Sequence, residues 1–189
     1  MKRYDPDKYH RRSIRLKGYD YTRPGAYFVT IVTHGRELLF GEIVNGEMRL
    51  NEYGRIVEAE WLRTAEVRPN VELDAFVVMP NHFHGILIMR DEVGATRRVA
   101  PTRRVAPTHP TGPSAGSLGA IMAQFKSVCT KRIKALPVSP GIPVWQRNYY
   151  ERIIRNEWEL SAIRQYIRDN PARWAEDMEN PDRIAGDEG

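Results

Sequence analysis

Hydrophobic positions along the chain follow two rhythms, one of strands and one of helices. β-Branched and aromatic residues crowd 26–33, where Tyr27, Phe28, Val29, Ile31 and Val32 predict a first strand. From Gly41 to Leu50 two short alternating runs flank Asn45-Gly46, a dipeptide that tight hairpins favour because their turn residues take positive φ. Asn51 reads as an N-cap for a helix running to about Val67, with Ile56, Val57, Ala59, Glu60 and Trp61 as its stripe. The apolar runs 71–79 and 83–89, joined through Pro80-Asn81, predict an antiparallel pair, and apolar residues on both faces of each predict central strands. Between Ser117 and Leu136, Leu118, Ile121, Met122, Phe125 and Cys129 recur at helical spacing, with Lys126, Lys131, Arg132 and Lys134 outward. A last strand is predicted over 144–154. Asn156 followed by Glu159 has the spacing of a capping box for a third helix, which Pro171 limits.

The order strand, helix, strand, strand, helix, strand predicts an α+β fold. It is the ferredoxin-like split βαβ antiparallel sheet, here with an inserted hairpin and an added C-terminal helix. In that topology the first and third strands are central. A basic arm (1–21) precedes a single domain (22–174), and an acidic tail (175–189) follows it. Within the domain the Pro-, Thr- and Arg-rich stretch 91–116, with Thr-Arg-Arg-Val-Ala-Pro twice in tandem, reads as a flexible linker from a tolerated duplication.

Charge and composition narrow the function. The chain of 189 residues carries a net charge of +5, and residues 1–17 hold seven basic side chains against two acidic ones. Such an arm suits a polyanion, although an excess of this size also occurs on ordinary surfaces. The single cysteine excludes an internal disulfide and any multi-thiolate metal site. No run approaches the roughly 20 apolar residues that span a bilayer, and the N-terminus lacks an apolar signal core, so the expectation is a cytoplasmic protein without membrane contact.

Chemistry concentrates at Asn81-His82-Phe83-His84. On a strand, residues i and i+2 share a face, so His82 and His84 offer two nitrogen ligands to one cation. A lone His-x-His is weak evidence, but an unpaired imidazole on so apolar a strand would be costly to bury. On the third helix Tyr166 and Asn170 stand at i and i+4, on the flank of the stripe Leu160, Ile163 and Ile167. Alone, that pair reads as a packing tyrosine and a C-terminal cap.

Together these motifs resemble a known family. Met79-Pro-Asn-His-Phe-His84 is similar to the His-hydrophobic-His motif of single-tyrosine transposases. Val144-Trp-Gln through Arg155-Asn156 to Tyr166-Ile-Arg-Asp-Asn-Pro171 resembles their REP-associated branch. The resemblance spans Arg12 to Trp174, apart from the linker. It implies that His82 and His84 bind a divalent cation, that Tyr166 is the nucleophile, and that Asn170 holds the place of a polar metal-proximal residue. It ranks Tyr149 and Tyr150 lower, and Arg152 stands where many relatives have His. The implied activity is cleavage and rejoining of single-stranded or hairpin DNA from palindromic repeats through a 5′-phosphotyrosine. Arg11, Arg12, Arg15 and Lys17 would contact that DNA, and the protein would act as a monomer or homodimer. The resemblance implies Mg²⁺ or Mn²⁺, whereas two imidazoles and an amide favour Mn²⁺ or Zn²⁺ on softness. Two other readings stay open: a catalytically inactive, domesticated nucleic-acid-binding regulator, and a metal-dependent hydrolase with Asp74 or Glu72 as an acidic third ligand.

Overall fold

A computed structural model of the protein describes residues 19–91, 113–139 and 141–183. Arg11, Arg12, Arg15 and Lys17, and the tandem repeat of the linker, lie outside them. Four strands, β1 (Gly25–Val32), β4 (Val71–Val78), β5 (His82–Met89) and β6 (Tyr150–Ile154), form one antiparallel sheet in the order β4-β5-β1-β6. The expected α+β split βαβ arrangement is therefore present, with β1 and β5 at its centre. β4, read as central from its apolar content, is instead an edge strand. Its outer flank is tied by Arg164 to Asp74, beside a register shift between Leu73 and Phe76.

β2 (Gly41–Val44) and β3 (Glu47–Leu50) form the inserted hairpin, which among the described residues pairs only with itself. Asn45 and Gly46 take φ of 53° and 78°, as the tight turn requires. α1 (Glu52–Glu66) starts at Asn51, whose side chain accepts from Gly54 N; Ala59 faces solvent rather than the core. α2 (Leu118–Lys134) is capped by Ser117 and buries all five residues assigned inward, together with Ile133. The last strand is shorter than its apolar pattern suggested. Residues 144–149 run alongside the end of β1 as a loop, with one bridge between Thr33 and Trp145.

Alternation along β1 and β5 divides the core into two. Tyr27, Val29, Ile31, Phe83 and Leu87 face α1 and α2, around a fully buried Trp61 that packs on Phe83 and Phe125 at 4.7 and 5.4 Å between ring centroids. A Cβ on Gly85 would meet the Trp61 ring at 2.6 Å, so glycine on β5 is what lets that indole sit flat on the sheet. Phe28, Ile86 and Ile154 face the other way, against Leu160 and Ile167 of α3 (Glu157–Asp169). Among the described residues α3 is the one α-helix that packs on this second face. Its end beside His82 and His84 is therefore left for polar groups.

Candidate active site

Each imidazole of the β5 pair is held by a different neighbour. Asn81 Nδ2 donates to the carbonyls of Arg36, at 3.1 Å, and Glu179, at 2.7 Å. Carbonyl oxygens only accept, so the amide orientation is determined and Asn81 Oδ1 faces His82 Nδ1 at 2.9 Å. His82 Nδ1 must then carry the proton, which leaves the lone pair on Nε2. That nitrogen is fully buried and has no partner among the described residues. Arg36 presents its carbonyl from a left-handed backbone, φ 62°, an uncommon conformation for a residue with a side chain.

His84 Nδ1 lies 2.8 Å from Thr30 Oγ1, and its Nε2 lies 3.1 Å from the Tyr166 hydroxyl. Phe28 stacks on the His84 ring at 5.4 Å and meets Tyr166 edge-on at 6.2 Å, fixing both rings. Tyr166 is 43% exposed, so the residue stands at the surface of the site. Tyr150 opens β6 on the same face against Phe28, and Tyr149 packs with the core on the opposite face.

A further donor comes from beyond the helix. Asp177 Oδ2 lies 3.9 Å from His82 Nε2 and accepts from Asn170 Nδ2 at 3.1 Å. Ligand atoms of His82, His84 and Asp177 all fall within 4.8 Å of one another. Asn170 Oδ1 is buried beside them without a partner. Two buried acceptors lacking any donor, next to a carboxylate, make a cradle for a cation. Asp74 and Glu72 are excluded from that role, since Arg164 and Arg90 bind them in two-point contacts on β4. Arg152, which stands where the resemblance would place His, pairs with Glu159 at 2.5 Å. Glu159 in turn accepts from Arg155 N rather than from the N-cap amide, a variation on the expected capping box.

Electrostatics agree with the ligand reading. Burial pushes His82 down to about 4, against the opposing pull of Asp177 and Asn170. Burial, then the neighbouring His82, holds His84 well below the usual imidazole range. Both rings are neutral at pH 7, the form that can ligate. Burial, then the negative charge of Asp177, pushes the Tyr166 phenol up to about 12.

Sequence reading missed Asp177. It is one of four acidic residues within 176–182, and nothing in their spacing distinguishes it. It reaches the site because the chain turns at 174–176, Asn180 Nδ2 holds the Trp174 carbonyl, and Glu179 pairs with Arg36 at 2.9 Å.

The fold is shared with a tyrosine transposase of known structure. A solved structure of a REP-associated tyrosine transposase bound to a REP hairpin matches with a TM-score of 0.54 and 19% sequence identity, over 85% of this chain and 74% of that one. A protein of Haemophilus influenzae (strain ATCC 51907 / DSM 11121 / KW20 / Rd), itself uncharacterized, is 40% identical over 176 residues, 93% of this chain and 96% of that protein. The chain belongs to that protein's family. No protein-family model matches it. Among the described residues no helix is long and apolar enough to cross a membrane.

Proposed function

We propose that this protein is a metal-dependent tyrosine transposase that nicks and rejoins single-stranded, hairpin-forming DNA through a 5′-phosphotyrosine. The observation that carries the reading is the Tyr166 hydroxyl, 3.1 Å from His84 Nε2, whose ring lies 4.5 Å from that of His82. Its fold, shared with a transposase bound to a hairpin, supports the same reading.

His82, His84, Asp177 and Asn170 would hold the cation; two imidazole nitrogens with two oxygens suit Mn²⁺ on ligand softness, and Mg²⁺ is the alternative that the family resemblance implies. A divalent ion bound there supplies charge neutralisation at a phosphate. The remaining work falls to the side chains. His84 Nε2 has one lone pair, so the Tyr166 hydrogen bond and a metal bond are alternatives at that atom. A phenol raised to about 12 is a poor nucleophile while protonated, so its proton must pass to water as the attack proceeds. Attack by Tyr166 Oη forms a tyrosyl–phosphorus bond and breaks the bond to the 3′ oxygen, which leaves as a 3′-OH. One phosphoester replaces another. A second 3′-OH can therefore reverse the step and join strands without ATP.

The experiment is incubation with hairpin DNA, labelled on the 5′-phosphate side of the cut, in Mn²⁺, followed by denaturing electrophoresis and peptide mapping. The adduct is expected on Tyr166. Tyr166→Phe should keep stability and hairpin binding while losing the adduct, and His82→Ala and His84→Ala should each abolish cleavage without unfolding. An adduct mapped to Tyr149 or Tyr150, or cleavage at the unaltered rate by both His variants, would overturn the assignment.

A further inference from the structure

A groove of about 640 Å³ lies between α2 and the 143–149 loop, apart from the His82–Tyr166 site. Its lining includes four cations, Lys126, Lys131, Lys134 and Arg147, with Trp145 and Tyr149, and no acidic side chain. Lys126 Nζ donates to the carbonyls of Gln146, at 2.6 Å, and Arg147, at 3.0 Å, pinning the loop to the helix. Among the described residues no carboxylate compensates that ammonium, and its burial pulls it down to about 8. Lys131, Lys134 and Arg147 are exposed and make no ion pair within the described residues. Lys131 and Lys134 complement the C-terminal end of the α2 dipole. That account does not reach Lys126 in mid-helix or Arg147 on the loop.

The position of the groove ties it to the site. α2 begins where Leu118 N bonds Tyr21 O, before the start of β1, and its cationic end lies toward the end of β1. There Gln146 N bonds Val32 O and His34 N bonds Val144 O, while Thr33 N bonds Asn81 O on the other side. The loop wall is thus two chain-widths from Asn81, roughly 10 Å at the spacing of neighbouring strands. Groove and imidazoles occupy opposite faces of the sheet at the same end.

We propose that this groove binds the backbone of the single-stranded DNA flanking the hairpin, with its phosphates on Lys131, Lys134 and Arg147, as the strand passes around the sheet end from the Tyr166 site. The inference rests on the function proposed above and names where its substrate continues. Cations without counter-charges along one groove match what the backbone of a single strand needs, positive charge for successive phosphates.

The test measures binding by the full chain carrying Tyr166→Phe, so that no cleavage intervenes, using a hairpin with a single-stranded flank and the same hairpin blunt-ended. K131Q/K134Q/R147Q is compared with R49Q/R55Q/R63Q, which removes the same charge from the hairpin and α1. The groove variant should bind the flanked hairpin about tenfold or more weakly, with a log–log salt slope shallower by about 2, and bind the blunt hairpin nearly as before. Unaltered binding of the flanked hairpin, or an equal loss with the control variant or on the blunt hairpin, would overturn the groove. If the protein carrying only Tyr166→Phe binds neither DNA, the proposed function itself fails, and the groove with it.

Discussion

At the scale of single residues, the site depends on Asn81 as much as on the imidazoles beside it. Its amide accepts from His82 and satisfies two carbonyls, one at Arg36 and one at Glu179. Asn81→Ala would leave those groups unpaired and free the His82 ring to rotate. The fold should survive, and Mn²⁺ affinity measured by calorimetry should fall roughly 10–100-fold, the usual cost of losing a group that orients a ligand. Unchanged affinity would show that the ring needs no such support. The same ring sets a pH dependence. His82 sits near 4 in the folded protein and near the ordinary 6.5 unfolded, so the unfolded chain takes the proton first as pH falls. Its contribution is fully present above about 6.5, declines between about 6.5 and 4, and is constant below; His84 acts in the same direction. Denaturant unfolding of the cation-free protein should therefore show stability decreasing over that window, with a smaller decrease in His84→Gln. A flat profile would contradict the burial of neutral imidazoles.

At the scale of elements, α3 carries the proposed nucleophile and must be held in register with β5. Leu160 and Ile167 supply the packing, while the two-point Arg164–Asp74 pair ties the helix to the edge strand. Arg164 is partly exposed, so the stability cost of Arg164→Gln should be small, about 1 kcal/mol or less. The larger effect is expected on adduct formation, because small displacements of a reacting group are costly. A melting temperature lowered by a few degrees together with a several-fold slower single-turnover rate would bear this out. An unaltered rate would mean that packing alone positions Tyr166.

At the scale of the whole molecule, the N-terminal sequence adds positive charge to that of the proposed groove. Deleting residues 1–17 removes a net five positive charges, seven basic minus two acidic. Hairpin affinity should drop and its salt dependence should become shallower. An unchanged salt slope would show that the arm, with Arg11, Arg12, Arg15 and Lys17, leaves the phosphates untouched.

The local code of the chain determined much of this architecture. Asn45-Gly46, the caps Asn51, Ser117 and Asn156, and the inward stripe of α2 act within a few residues, so their structures follow from neighbours in sequence. The two-residue period of a strand likewise sufficed to put His82 and His84 on one face. Tertiary structure alone decided what that face meets. Asp177 lies 95 positions from His82 and Tyr166 lies 82 from His84, separations over which periodicity carries no information. The same holds for the edge position of β4 and for Asp74 and Glu72, each of which looked available until the fold supplied an arginine to occupy it. A ligand set is made by contacts distant in sequence, and only the packed chain brings its carboxylate, imidazoles and phenol within reach of one ion.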